Sequence, residues 1–150
     1  MNIQERVNKD IKEAMRHKDV DRLAALRAVK SAIMLEITKD GNSTISDKLS
    51  LDIIFKLIKQ RRDAANIYRD QNRDDLANEE INQLRHLEEY IPEQMGEDAV
   101  RLEVKEVIKQ LGASSYTDMG KCIGILINKL KGKAEGSLIS KLVKEELSNN

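Results

Sequence analysis

Few side chains in this sequence have the type and spacing that catalysis needs. His17 and His86 are the only histidines, and neither has a second histidine or a cysteine at metal-ligand spacing, so both read as surface residues. Cys122 is the single cysteine. It has no intramolecular disulfide partner and no nearby histidine, and it lies one residue from an apolar helical stripe, which suits a packed thiol better than a nucleophile. The adjacent pairs Glu79-Glu80, Glu88-Glu89 and Glu145-Glu146 diverge around a helix and do not make an acid/base couple. No Walker loop or dinucleotide fingerprint is present. Gly120, Gly124, Gly132 and Gly136 are spaced at multiples of four residues, but they follow a helix pattern and not a strand, so close packing and turn formation explain them better than a phosphate loop. The expectation is no catalytic residue, no metal ligand and no cofactor.

Local charge says more than catalytic chemistry does. Lys+Arg and Asp+Glu are both 26, so no global field steers the chain toward an anionic partner. From Met119 to Lys144, however, the charged residues are Lys121, Lys129, Lys131, Lys133, Lys141 and Lys144 against Glu135 alone. Ammonium groups brought within a Debye length can hold phosphates by releasing counterions. The same run also suits a solvated face that promotes solubility. Aromatics are only 3% of the residues, which argues against base stacking and leaves backbone or shape recognition. A second ridge, Lys59, Arg62, Asn66, Arg69 and Arg73, is interleaved with Asp63 and Asp70 and reads as solvated. Arg61 falls inside an apolar stripe, where it could snorkel, pair with a glutamate such as Glu36 or Glu88, or point into a groove that receives a ligand; a structural ion pair is the expectation.

The elements that position these residues are helices. Charged residues are 35%, there is one proline and no tryptophan, and apolar residues recur at spacings of three and four. Ile3, Val7, Ile11 and Met15 mark a first helix to about Lys18. Asp19 and Asp21 open a second, with Leu23, Leu26, Ala28, Val29, Ile33 and Ile37 toward a core and Gly41 as its stop. A third starts between Ser46 and Ser50 and carries Leu51, Ile54, Leu57, Ile58, Ala65 and Tyr68; the turn Asn72 to Asp75 leads to a fourth with Leu76, Ile81, Leu84, Leu87 and Tyr90. Pro92 then marks a joint.

Beyond it, Val100, Val104, Val107, Ile108 and Leu111 form a fifth helix ended by Gly112. Thr117 or Asp118 caps a sixth with Met119, Ile123, Leu126, Ile127 and Leu130, in which Gly120 and Gly124 allow close helix contact. A lysine-rich turn, 129–136, leads to Ser137 as the N-cap of a last helix bearing Leu138, Ile139, Leu142, Val143 and Leu147. The expectation is an all-α chain of about seven helices: four in an N-terminal subdomain, 1–92, and three in a C-terminal subdomain, 93–150. No apolar stretch reaches the roughly 18 to 20 residues that span a bilayer, and the N-terminus lacks the apolar core of a signal peptide, so a cytoplasmic protein without a membrane partner is expected.

These blocks resemble the GatB/YqeY family over nearly the whole chain. The resemblance rests on Leu26-Arg27, on Lys59 to Asp63 with Tyr68, and on Asn72 to Ala77. It continues through Leu87 to Pro92, Leu111 to Ala113, Asp118 to Lys121 and Lys129 to Gly136. It implies a free-standing relative of the helical C-terminal part of the GatB subunit of tRNA-dependent amidotransferases, which engages tRNA. The family's carbon-nitrogen ligase label, with glutamine as amide donor, refers to chemistry in domains and subunits this chain lacks. Carried onto this sequence, the resemblance implies tRNA contacts at Met119, Gly120, Lys121, Lys129, Lys131, Gly132, Lys133 and Gly136. The alternative is a protein-interaction module that docks an amidotransferase or other translation component through the third helix or the joint at Tyr90 and Ile91.

Overall fold

A computed structural model describes residues 1–148. Among them are seven α-helices and no strand: α1 Ile3–Arg16, α2 Val20–Asp40, α3 Asp47–Asp70, α4 Asp74–Glu88, α5 Glu97–Leu111, α6 Met119–Lys129 and α7 Gly136–Ser148. The chain is all-α, as its composition and spacing imply. It divides into two compact units, Met1–Ile91 and the residues from Pro92 onward.

In the first unit, α1 starts in a capping box: the Asn2 side chain accepts from the Glu5 N–H while the Glu5 carboxylate accepts from the Asn2 N–H. Asp19 caps α2 by accepting from Arg22 N, and Ser46 caps α3 by accepting from Leu49 N. Gly41 ends α2 at φ +68°, a left-handed conformation that costs glycine little. The core joins Val7 and Ala14 of α1, Leu26, Val29 and Ile33 of α2, Ile54 and Ile58 of α3, and Leu84 and Leu87 of α4. Two expectations differ here. Met15, expected on the buried stripe of α1, is 54% exposed, and Ala14 is buried instead. Of the expected α2 core residues, Leu23 and Ile37 are only partly buried, while Ala25 is fully buried.

Tyr90 lies just past the end of α4 and is buried. Its hydroxyl donates to the Asp10 carboxylate of α1, and the Arg6 guanidinium sits 4.3 Å over its ring. Arg6 also donates to the Glu89 carbonyl at 3.0 Å, and Arg22 of α2 lies 3.7 Å from Asp10. Burial and the Asp10 carboxylate both push the Tyr90 phenol well above its ordinary pKa. The end of α4 is thereby fastened to α1 and α2. The joint at Tyr90 is thus a closed contact and not an open apolar patch.

In the second unit, α5, α6 and α7 pack around Val100, Val104, Val107, Ile108, Cys122, Leu126, Leu130, Ile139, Leu142, Val143 and Leu147. Gly112 ends α5 at φ +63°. Arg101 of α5 donates to Glu146 at 2.8 Å and to Glu145 at 3.0 Å, tying α5 to α7. Helix α7 begins at Gly136, with Ile139 N donating to the Glu135 carbonyl at 3.1 Å, so Ser137 lies inside the first turn and is not the N-cap.

Candidate nucleic-acid interface

Helix α6, the turn after it and the first residue of α7 hold the residues implied by the resemblance. A 3-10 turn, Tyr116–Asp118, leads directly into α6. Asp118 occupies the N-cap position, but its side chain does not cap the helix; it accepts from Ser114 N at 3.3 Å and fixes the preceding loop. One face of α6 is sealed into the core by Cys122 and Leu126, with Leu130 just beyond. Met119 and Ile123 are partly buried against the same core, which takes Met119 out of the exposed set.

Gly120 and Gly124 point the other way. Both are exposed, and a Cβ built on either meets nothing within 4 Å. The expectation that they admit a neighbouring helix is therefore corrected: the spacing put them on one face, but that face is outward. Ile125 and Ile127 flank them at 38% and 39% exposure, so Ile127 is not a core residue either. Lys121 shares this outward face.

The lysine-rich turn is held by backbone hydrogen bonds. Lys133 N donates to the Leu130 carbonyl, and Gly132 takes φ +74°. The segment before α5 then binds the turn from outside: Gln94 Nε2 donates to the Gly132 carbonyl, and Met95 N donates to the Lys133 carbonyl at 2.8 Å. Leu130 and Ala134 anchor the turn in the core, while Lys131 and Lys133 stay exposed on either side of Gly132. Gly136 is exposed at the start of α7.

The charge of this surface is smaller than the segment's composition suggests. Lys129 Nζ lies 2.7 Å from Glu103 Oε2 of α5, and Lys141 Nζ lies 3.7 Å from Glu97 Oε1. Helix packing brings these carboxylates in, and no local pattern around the lysines announces them. Lys121, Lys131, Lys133 and Lys144 have no ion-pair partner among the described residues. Those four carry the positive field.

Other singled-out residues settle into structural roles. Cys122 is fully buried, and burial pushes its thiol pKa up, away from thiolate chemistry. Arg61 makes neither expected ion pair: Nε donates to Gln83 at 3.1 Å and Nη1 to the Leu57 carbonyl at 3.2 Å. Burial lowers its pKa, opposed by the charge of Glu80. Lys59 pairs with Asp63 at 2.9 Å, as expected, and Arg73 pairs with Asp75 at 3.1 Å, a carboxylate other than the Asp70 that the sequence suggested. His17 is exposed, but His86 is partly buried, with Nδ1 3.8 Å from Glu89. A shallow cleft between α1 and α2 holds about 30 Å³, far short of the several hundred Å³, roughly, of a small-molecule site.

The sequence pattern described as Yqey-like protein matches residues 4–147. The chain is 34% identical over 127 residues to Altered inheritance of mitochondria protein 41, mitochondrial, of Saccharomyces cerevisiae strain YJM789; this covers 83% of the chain and 58% of that protein. It is 31% identical over 111 residues to the like-named protein of Candida glabrata, covering 72% of the chain and 61% of that protein. The like-named protein of Pyrenophora tritici-repentis is 28% identical over 143 residues, covering 93% of the chain and 78% of that protein. The chain thus spans less than two thirds of the two yeast relatives. With the match running through both helical units, the chain belongs to the Yqey-like, GatB/YqeY, protein family.

Proposed function

We infer that this protein is a tRNA-associated binding module related to the helical C-terminal part of the GatB amidotransferase subunit, without chemistry of its own. The observation that carries the reading is the surface of α6 and its following turn: Lys121, Lys131 and Lys133 have no ion-pair partner among the described residues, and Gly120 and Gly124 present bare backbone beside them. Exposed glycines within a helix cost stability, and a phosphate backbone approaching closely gives them a use. Lys129 is demoted in this scheme, because Glu103 already neutralises it.

Recognition runs through phosphates and shape. Tyr116 is the one aromatic of the second unit, so the unit has little with which to stack bases. In a competition assay against labelled tRNA, unlabelled folded tRNA should displace the probe better than an unstructured RNA of equal length. Equal displacement by both would reduce the surface to general polyanion binding, and no binding at low salt would remove the reading. A cytoplasmic site of action belongs to the same proposal. The curated relatives carry mitochondrial in their names, so fractionation of the tagged protein is its check.

A further inference from the structure

Helix α2 carries apolar residues on its outward side as well as its buried one, with Val20, Met34 and Leu35 exposed among Arg27, Lys30, Ser31 and Thr38. Here the first unit covers only one side, leaving Val20 76%, Met34 50% and Leu35 73% exposed. Met15 of α1, 54% exposed, continues the ridge of Gln4 and Asn8, which borders the cleft against Lys30 and Met34. The exposed apolar side chains of α2 lie toward its two ends, with Arg27 and Lys30 between them.

The exposed charges of α2 between Val20 and Thr38 are Arg27 and Lys30, without an ion-pair partner among the described residues, whereas Asp21 accepts from Asn82 and Glu36 pairs with Lys39. We propose that the α1–α2 face is a docking surface for an acidic amphipathic helix of a partner protein, whose apolar side covers Met15, Met34 and Leu35 and whose carboxylates meet Arg27 and Lys30. The two methionines suit such a partner, being flexible enough to repack against differing side chains. The span from Val20 to Leu35 is about 22 Å, a match for a partner helix of about four turns. A second copy packed face to face about the middle of α2 would set Arg27 and Lys30 against their own kind, like charge on like.

The test uses the full chain, isotope-labelled, with two synthetic helical peptides of about 15 residues. One has leucines along one face and glutamates on the other; its counterpart has every glutamate replaced by lysine. The acidic peptide should shift amide resonances of α1 and α2, and the basic one should not. Arg27→Glu with Lys30→Glu should weaken the acidic peptide at least about tenfold, and Met34→Ser with Leu35→Ser should weaken it as well. All four positions are exposed, so each variant should keep a folded spectrum. Absence of shifts, shifts centred on Lys121, Lys131 and Lys133, or equal binding of both peptides would overturn the proposal. Stronger perturbation of Arg27 and Lys30 by tRNA than by the acidic peptide would assign the face to nucleic acid and overturn it too.

Discussion

Replacing Gly124 by alanine separates what a helix wants from what a partner needs. Gly124 lies in the interior of α6, outside the left-handed φ range, and an added methyl meets nothing within 4 Å. The only internal effect is then helix propensity, where alanine is better than glycine by about 1 kcal/mol. For a unit the size of the second one, melting by itself, that stabilisation raises Tm by about 8 °C; if the whole chain unfolds in one step, the rise is about 3 °C. Gly120, in the first turn, should give less. Calorimetry reads the effect, and tRNA binding read in parallel should weaken, because the methyl holds a closely approaching backbone away. A fall in Tm would mean that the glycine face is packed, refuting the outward reading of α6. A rise in Tm with unchanged tRNA affinity would leave the fold intact and remove the glycines from the interface.

Glu103→Gln should release Lys129, tightening tRNA binding and steepening its salt dependence by up to about one unit of log-log slope; an unchanged slope would show that Lys129 faces no phosphate even when freed. Tyr90→Phe deletes the donor to Asp10 and should cost about 1–2 kcal/mol in a urea melt, since the partly buried carboxylate loses a hydrogen bond. The Tyr90 pKa is raised in the fold, so its contribution is fully present below the unfolded value near pH 10 and is lost as pH climbs above it. Wild-type stability should fall through that window more steeply than that of Tyr90→Phe. Leu126→Ala, at a fully buried position of α6, should cost about 2–5 kcal/mol; a cost below 1 kcal/mol would mean that the core of the second unit is not packed as described.

The helices were legible because their apolar residues recur at helical spacing and several ends carry recognisable signals: Asp19 and Ser46 cap, and Gly41 and Gly112 terminate. Spacing gives which residues share a face, but not always which way the face points. In α1 the error was one residue, Met15 for Ala14. In α2, where apolar residues are spread around the helix, the stripe has no sharp edge, so Ala25 was missed while Leu23 and Ile37 do pack against the core, partly buried. The glycines of α6 were grouped correctly and oriented wrongly, because nothing local distinguishes an inward glycine pair from an outward one. Lysine positions in the candidate interface were plain in the sequence. Their partners were not, since Glu103 and Glu97 reach Lys129 and Lys141 only once α5 packs beside α6 and α7. Arg61 failed for the same reason: its acceptors are a glutamine on another helix and a carbonyl of its own.

The central claim concerns three lysines, and the salt dependence of tRNA binding tests it most directly. Affinity should be measured over a range of salt concentrations for the wild type and for Lys121→Ala, Lys131→Ala and Lys133→Ala combined. The account predicts that the wild type binds at low salt and that the triple variant is weaker, with a log-log slope shallower by about two to three units. Binding that survives the triple change with an unchanged slope, or no tRNA binding by the wild type at any salt, would contradict it.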